Sequence, residues 1–325
     1  MVDKLTVVAN NADFASQHVK GRVAVFMGAT AGIGENTLQR LITMLDASTF
    51  YILGRNPTAF ASKLEELKKL AAPRDNKVVF IQTQVALISD VDKACEQIIA
   101  VEKKVDYLCL SAGGVPFGGA IYTEEGLETC FAVSYYSRLR MVQNLLPLLR
   151  QSSQPRVLSI LNGTQEKSVN EEDLGLEKNW SITGVVNHTT TFTSLAFDLL
   201  AKNDNDGKIV FLHDSPGLVY TNSVGKSRPS RDDGLIYWAI VSVGQVVFNR
   251  LIYYFGTTVS ESGERHAYLL TSQDYKPGSW QVDQRGKAQP PNKMLRGYQA
   301  KGLADVVWDH TLRVWDKALA STRQV

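Results

Sequence analysis

The glycines of one short turn are the residues whose types and spacing most directly predict chemistry. Residues 22–34 run from an apolar strand into this turn, and Gly28, Gly32 and Gly34 then open an amphipathic helix that starts near Glu35. Glycines let a backbone turn tightly and approach a pyrophosphate, and the free N–H groups at the start of a helix face the anion. The pattern therefore predicts a phosphate-binding site, although glycine turns also serve plain packing of a helix on a strand.

The elements that must position this turn alternate between strand and helix along most of the chain. Continuous apolar strands separated by helices indicate a mainly parallel, doubly wound α/β sheet of the Rossmann type, covered by helices on both faces. In such a sheet the ligand crevice lies at the carboxyl ends of the strands. The predicted strands are 22–27, 49–53, 77–82, 106–111, 155–161, 208–213 and 266–271, and the predicted helices are about 34–46, 58–71, 88–104, 125–150 and 186–203. The loops expected to converge at the crevice contain Gly28–Gly34, Ser111–Gly113, Asn162 and Pro216–Gly217.

Composition limits the class of protein. The chain has 325 residues, enough for a large core, and its formal net charge of +2 gives no reason to expect nucleic acid or acidic surfaces as partners. Cys95, Cys109 and Cys130 lack metal-ligand spacing, which favours reduced core thiols and no bound metal. The first residues lack a basic region followed by an apolar stretch, so we expect no secretory signal and a cytoplasmic location.

Three loops carry a resemblance to a known family. The spacing G-x-x-x-G-x-G resembles the nucleotide-binding turn of the short-chain dehydrogenase/reductase family, with Met27 where the family usually has Thr. Residues 110–113, Leu-Ser-Ala-Gly, resemble the Asn-Ala-Gly turn that follows the family's fourth strand. Residues 213–221 resemble the Pro-Gly segment after its sixth strand, and the resemblance as a whole covers about residues 20–275.

The resemblance implies that the cofactor is NADP(H). Arg55 stands at the end of the second strand, where members that use the unphosphorylated cofactor usually have an acid, and its planar cation suits a 2′-phosphate. Gln84 would reach the adenine amino group, the backbone of Val219 would meet the nicotinamide amide, and Thr221 would meet the phosphates. The implied cofactor-binding residues are Gly28, Thr30, Gly32, Ile33, Gly34, Arg55, Asn56, Gln84, Val85, Ser111, Ala112, Gly113, Pro216, Gly217, Val219 and Thr221.

The catalytic half of the family pattern is missing. Members normally carry an Asn, a Ser and a Tyr-x-x-x-Lys pair, and the corresponding positions here are Ser134, Asn162, Val186 and Thr190. No tyrosine lies between positions 136 and 220, and no lysine lies between positions 178 and 202. Because the tyrosine hydroxyl normally supplies a proton to the reduced ketone, ordinary carbonyl reduction by the family mechanism is not expected.

Other side chains are candidates for the catalytic site. Asn162 would hydrogen-bond a substrate carbonyl without exchanging a proton, and Ser134 would help to orient the same polar group. His188 lies two residues past the lost tyrosine position, so it reaches the crevice only if the helix starts late there. Asp214, beside the Pro-Gly turn, would be an acid if it were desolvated.

The sequence predicts one nucleotide-binding domain at residues 21–275, preceded by an extension at 1–20 and followed by a tail at 276–325. Polar residues interrupt the apolar stretch 234–256, so we expect an apolar lid or a dimer helix there and no membrane insertion. The family resemblance implies that this insertion covers the substrate pocket. The tail is expected to end in a helix that packs on the domain through one apolar face, made of Leu303, Val307, Leu312, Trp315 and Leu319.

The glycine turn and the stretches 134–140 and 262–266 resemble an atypical group of this family that occurs in filamentous fungi. This resemblance implies a natural-product substrate such as a polyketide, terpenoid or alkaloid, and the aromatic content of 234–256 suits a bulky, apolar small molecule. Three functions remain open at this point. The first is an atypical oxidoreductase that uses NADP(H), the second is a non-redox cyclase or isomerase, and the third is a nucleotide-binding pseudoenzyme. The family resemblance also implies that helices such as 125–150 and 186–203 pair subunits in a homodimer.

Overall fold

The computed structural model describes residues 3–114, 119–220, 250 and 256–322. In this part of the chain eight strands form a single sheet in the order β3-β2-β1-β4-β5-β6-β7-β8. Every strand pair is parallel except β7–β8, which is antiparallel. The strands are β1 (Val23–Met27), β2 (Thr49–Gly54), β3 (Lys77–Gln82), β4 (Tyr107–Leu110), β5 (Arg156–Ile160), β6 (Val210–Asp214), β7 (Gly278–Val282) and β8 (Ala288–Gln289). The predicted fold class and the first six predicted strands are therefore confirmed.

Ten α-helical segments accompany the sheet in the described residues. They are α1 (Lys4–Ser16), α2 (Gly32–Ile42), α3 (Pro57–Ala71), α4 (Ile88–Ile99), α5 (Thr129–Phe131), α6 (Ser137–Gln151), α7 (Ile182–Lys202), α8 (Val259–Thr271), α9 (Lys293–Ala300) and α10 (Leu303–Thr322). A short 3₁₀ helix, Ala72–Arg74, follows α3. One turn of π-helix, Ala132–Tyr136, joins α5 to α6, so the predicted helix at 125–150 is present but irregular.

The seventh predicted strand is wrong, because residues 266–271 belong to α8. Thr258 caps this helix by accepting a hydrogen bond from the N–H of Glu261, and the helix is then buried between α1, α2 and the sheet. Burial on most sides makes a helical segment as continuously apolar as a buried strand, so periodicity cannot separate the two. The strand next to β6 is instead Gly278–Val282, and the sheet continues past the predicted domain boundary at residue 275.

The core lies on both faces of the sheet. In β1, Val23, Val25 and Met27 face the cluster that contains side chains of α4, α6, α7 and α10. Ala24 and Phe26 face the opposite cluster, with side chains of α1, α2, α3 and α8. This two-sided burial is what a parallel sheet requires, and it explains why the strands are apolar without alternation.

The predicted N-terminal extension forms α1, which packs on α8. The Asn11 side chain donates hydrogen bonds to the backbone oxygen of Glu264 at 2.9 Å and to its carboxylate at 2.7 Å. The same carboxylate accepts a hydrogen bond from Arg40 of α2 at 2.8 Å. A buried asparagine and a shared carboxylate thus join three helices on one face of the sheet.

The C-terminal helix α10 packs on the π-helical turn and on α7. Thr311 and the Tyr135 hydroxyl are 2.8 Å apart, the Tyr136 hydroxyl lies 2.9 Å from Nε2 of His310, and the indole N–H of Trp315 donates to the Tyr136 carbonyl at 3.1 Å. α10 therefore covers part of the two helices that the resemblance assigns to subunit pairing.

The apolar face predicted for α10 is only partly buried. Leu303, Val307 and Trp315 are buried, Leu319 packs partly against the core, and Leu312 is 39% exposed. No helix among the described residues is long and apolar enough to cross a membrane. The predicted lid at 234–256 falls almost entirely outside the described residues.

The bond from Trp315 to the π-helical turn gives a stability prediction. We expect Trp315→Phe to lower the free energy of unfolding by about 0.5–1.5 kcal/mol, because it keeps most of the apolar contact but removes the indole N–H that donates to the Tyr136 carbonyl. Urea unfolding of the purified variant measures this loss. The control is Trp308→Phe on the same helix, because the Trp308 indole makes no hydrogen bond to the described residues. Equal losses in the two variants would contradict the role given to the Trp315 hydrogen bond.

Candidate functional site

A cleft of about 310 Å³ opens at the carboxyl ends of the central strands. It is lined by the glycine turn after β1, the turn after β4, the π-helical turn, the end of β5, the start of α7 and the loop after β6. The lining residues are Gly28, Ala31, Gly32, Ile33, Gly34, Ser111, Gly113, Gly114, Cys130, Ser134, Arg138, Ile160, Leu161, Asn162, Val186, Thr189 and Pro216. The sequence-predicted rim loops therefore meet in one place.

Two glycines let the turn after β1 pack against the turn after β4. Gly28 has a φ of +103°, and a Cβ there would lie 2.2 Å from the backbone nitrogen of Ala112. A Cβ on Gly34 would lie 2.2 Å from Oγ of Ser111 and 2.6 Å from the Gly28 carbonyl oxygen. Ser111 in turn donates a hydrogen bond to that carbonyl at 3.0 Å. The glycines are thus needed for packing as well as for the shape of the turn.

The start of α2 presents N–H groups to the cleft that no described side chain caps. The N-cap residue is Ala31, whose side chain has no acceptor, so no side chain caps the first N–H groups of the helix. Gly32, Ile33 and Gly34 of this first turn line the cleft. An uncapped helix start with small residues and a positive dipole end is suited to bind a phosphate.

The predicted adenosine side of the site lies at the ends of β2 and β3. Arg55 is exposed, and its guanidinium makes no hydrogen bond or ion pair with the described residues. Thr30 lies beside it, since a Cβ on Gly54 would be 2.8 Å from the Thr30 methyl group. Gln84 is exposed and Val85 packs partly against the core. Asn56 caps α3, because its side-chain oxygen accepts a hydrogen bond from the N–H of Ala59 at 2.9 Å. This oxygen is therefore already engaged within the protein.

The loop after β6 forms another wall of the cleft. Pro216 lines the cleft, and Gly217 turns the chain with a φ of +67°. Leu218 and Tyr220 make the backbone hydrogen bonds to Thr257, at 2.8 and 3.0 Å. The N–H and C=O groups of Val219 therefore point away from Thr257, and they make no backbone hydrogen bond to the described residues. Thr221 lies outside the described residues.

Ser134 reaches the cleft from the π-helical turn and is 1% exposed. Its hydroxyl lies 3.8 Å from the Cys130 sulfur, and that thiol donates to the Gly114 carbonyl at 2.8 Å. Burial raises the pKa of Cys130 to about 11, so this thiol stays protonated and is a poor nucleophile at neutral pH. π-Helical turns re-aim side chains within a helix and are frequent at functional sites.

Opposite Ser134, the end of β5 and the start of α7 contribute Asn162, Val186 and Thr189. The Thr189 hydroxyl donates to the Val185 carbonyl at 2.8 Å, so it is engaged within its helix. Thr190 does not line the cleft; its hydroxyl is buried and has no partner in the described residues. No tyrosine or lysine of the described residues lines the cleft, as the sequence reading of positions 186 and 190 implies.

Arg138 lines the floor of the cleft, and the sequence reasoning missed it. Its guanidinium donates to the Ala112 carbonyl, to Oγ of Ser159 at 2.8 Å and to the Ile160 carbonyl at 3.0 Å. It stands four residues after Ser134, where a helix presents the same face again. The signal that could have found it is helical spacing, which puts Arg138 on the same face as the apolar Tyr135, Met141 and Val142.

The structure does not bring His188 to the cleft, which is a correction to its proposed catalytic role. The ring is 1% exposed, its Nε2 accepts from the N–H of Asn170 at 2.8 Å, and its Nδ1 donates to the Leu174 carbonyl at 3.1 Å. Both nitrogens are thus occupied by the loop between β5 and α7, and burial lowers the pKa of the ring. His188 stabilises this loop as a neutral imidazole.

Asp214 is buried, but it lies behind Pro216 in a separate small cavity. One carboxylate oxygen is 2.9 Å from Nε2 of His266, which also contacts the Ser262 carbonyl. Burial raises the pKa of Asp214, although the nearby histidine opposes this effect. The pair ties β6 to α8, and Asp214 does not line the main cleft. No group of three or more possible metal ligands occurs in the described part of the chain.

Comparisons with known proteins agree with this geometry. A family model described as short chain dehydrogenase matches residues 22–172. Oxidoreductase AN1596 of Emericella nidulans is 36% identical, covering 98% of this chain and 99% of that protein. Oxidoreductase lepF of Aspergillus flavus is 33% identical, covering 98% of both proteins.

Two solved structures show the same fold at low identity. NADPH-bound carbonyl reductase from chicken fatty liver has a TM-score of 0.55 and 16% identity, covering 84% of this chain and 99% of that one. A short chain dehydrogenase from Burkholderia cenocepacia in complex with NADP has a TM-score of 0.55 and 15% identity, covering 79% and 93%.

Because the turns after β1 and β4 pack closely at Gly34, we expect a substitution of this residue to lower the free energy of unfolding. We expect Gly34→Ala to lower the free energy of unfolding by about 1–3 kcal/mol, because the added methyl group overlaps Ser111 and the Gly28 carbonyl. Gly297→Ala is the control: it adds the same methyl group to α9, where nothing lies within 4 Å, and should stabilise the protein by about 0.5–1 kcal/mol. Chemical denaturation compares the two, and a Gly34→Ala variant as stable as wild type would contradict the packing described here.

Proposed function

Because the chain belongs to the short-chain dehydrogenase/reductase family, we propose that it binds NADP(H). In this proposal the protein is an oxidoreductase that acts on an apolar natural-product intermediate, and its mechanism does not use the family's Tyr/Lys pair. The observation that carries this proposal is the single cleft that joins the uncapped start of α2 to Ser134, Asn162 and Val186. One end of the cleft is suited to a dinucleotide. The other end has polar groups that can orient a substrate but no family-type proton donor among its described residues.

The residues of the glycine turn, the start of α2 and the loop after β6 fit a bound dinucleotide. Gly28 and Gly34 keep the glycine turn free of side chains, and the first turn of α2 has no competing cap. The backbone of Val219 supports contact with the nicotinamide amide, since its polar groups are not used by Thr257. Reduced nicotinamide, when bound, supplies a hydride to an electrophilic carbon.

Arg55 supports a preference for the phosphorylated cofactor. Its guanidinium is exposed at the end of β2 and free of protein partners among the described residues, so a 2′-phosphate can take both of its parallel N–H donors. The names of two structural neighbours, NADPH-bound carbonyl reductase and a dehydrogenase in complex with NADP, are consistent with this choice.

The side chains proposed to contact the substrate restrict the reactions that this protein can catalyse. The Asn162 amide donates a hydrogen bond to a substrate carbonyl and cannot lose a proton near neutral pH, and the Ser134 hydroxyl adds a second polar contact. Val186 forms an apolar wall where the family has its acid. Loss of a positioned acid costs about 10²–10⁴ in rate, so we infer a substrate that needs no tyrosine proton, such as an enone or an iminium.

The same apolar position favours a second candidate, a non-redox cyclase or isomerase in which the cleft orients the substrate and the nucleotide is structural. For either candidate we propose a cytoplasmic protein in natural-product formation. The resemblance of the glycine turn and of residues 134–140 and 262–266 to the atypical fungal group supports the natural-product role. A homodimer, if formed, must accommodate α10 on α7 and on the π-helical turn.

Nucleotide titration tests the proposed cofactor. We expect the protein to bind NADPH more tightly than NADH, and Arg55→Ala to weaken NADPH binding by about 10–100-fold while NADH binding changes by less than about threefold. Nicotinamide fluorescence or calorimetry measures both affinities. Arg313→Ala, which removes an exposed arginine of α10, is the control. Absence of binding at millimolar nucleotide would remove the cofactor from the proposal.

Turnover tests the substrate half. With a panel of apolar enones and iminium ions, the double variant Ser134→Ala, Asn162→Ala should lower kcat/KM by about 10–100-fold, since two hydrogen bonds to the substrate are lost. Asn203→Ala, at an exposed asparagine after α7, should not change it. Unchanged turnover in the double variant would contradict the orienting role. Product formed without a change in nicotinamide absorbance would favour the non-redox alternative.

A further inference from the structure

Arg138 is the only charged side chain among the described residues that line the cleft. It is 1% exposed, and no carboxylate of the described residues forms an ion pair with it. Burial lowers its pKa to about 10, so the guanidinium remains a cation at neutral pH. The cleft floor therefore carries one buried positive charge.

The guanidinium of Arg138 has one more N–H group than its hydrogen bonds to the described residues use. A guanidinium has five N–H groups. Nε and Nη2 each donate one to the Ala112 carbonyl, and Nη1 donates to Ser159 and to the Ile160 carbonyl. The second N–H of Nη2 has no acceptor among the described residues. Nη2 lies on the side of Gly113, where an added Cβ would be 3.1 Å from it and 3.5 Å from the Ser134 hydroxyl.

A charge in this position is costly unless a ligand uses it. Removing a cation from water without a counter-charge costs several kcal/mol even after relaxation, and buried charges are usually paired. Backbone carbonyls need N–H donors but no net charge. The positive charge is also felt nearby, because burial first and Arg138 second lower the pKa of His213 to about 3. These observations indicate that the missing counter-charge comes from a molecule in the cleft.

We propose that Arg138 binds an anionic oxygen of the substrate, either a carboxylate or an enolate, through the free N–H on Nη2. This inference rests on the proposed function, because it places the substrate beside Ser134, on the other side of β1 from Arg55. The cofactor phosphates have donors of their own at the start of α2, whereas Arg138 is held at the ends of β4 and β5. The substrate class is thus an apolar molecule with one acidic oxygen.

The test compares two fluorescent probes of equal shape, 2-naphthoate and 2-naphthamide, on the full chain with and without NADPH. We expect wild type to bind the naphthoate at least about tenfold more tightly than the amide. Arg138→Gln should abolish this preference and leave NADPH affinity within about twofold. Arg140→Gln is the matched control: Arg140 lies two residues further along α6 and pairs with Asp92 at 2.6 Å, and it does not line the cleft.

Gly113→Ala gives an independent variant if Arg138→Gln does not fold. It keeps the charge but places a methyl group beside Nη2, so it should also remove the preference for naphthoate. Equal affinity of wild type for the two probes would overturn the proposal. An Arg138→Gln variant whose NADPH affinity falls by the same factor as its naphthoate affinity would also overturn it. Failure of NADPH binding in wild type would instead remove the proposed function, and the probe preference measured without nucleotide would still decide the role of Arg138.

Discussion

Parallel strands separate at their carboxyl ends, where the last carbonyl groups lose their neighbours in the sheet. In this protein one guanidinium bridges that opening. Arg138 donates to Ala112 after β4 and to Ser159 and Ile160 at the end of β5. The turn after β4 is also the surface on which the glycine turn packs, through the close approach of Gly28 to Ala112. The shape of the cleft beside Ser134, between the ends of β4 and β5, therefore depends on where this arginine holds the strand ends.

The helix that carries Arg138 is irregular, and the C-terminal helix supports the irregularity. The π-helical turn at 132–136 places Ser134 in the cleft and ends at Tyr136, whose carbonyl contacts α10. Trp315 donates to that carbonyl, while the hydroxyls of Tyr135 and Tyr136 contact α10. A tail that is distant in sequence thus stabilises the segment that positions a candidate substrate-binding residue.

The cleft combines the geometry of this fold with an unusual set of side chains. At the start of α2 it has small residues and N–H groups that no described side chain caps, which the proposed dinucleotide would need. Its other end has Ser134, Asn162 and Val186, and no tyrosine or lysine among the described lining residues. In the proposed function Ser134 and Asn162 orient the substrate, and the buried cation of Arg138 would stabilise negative charge without proton transfer.

The sequence by itself determined the sheet class, the first six strands and the glycine turn, because these depend on local patterns such as apolar runs and glycine spacing. Tertiary structure alone decided three other points. Residues 266–271 lie in a helix that Thr258 caps, and burial on most sides had hidden its helical periodicity in the sequence. His188 turned to the β5–α7 loop because that loop offers partners for both ring nitrogens. Arg138 reached the cleft because its acceptors come from strand ends that only the assembled sheet brings together.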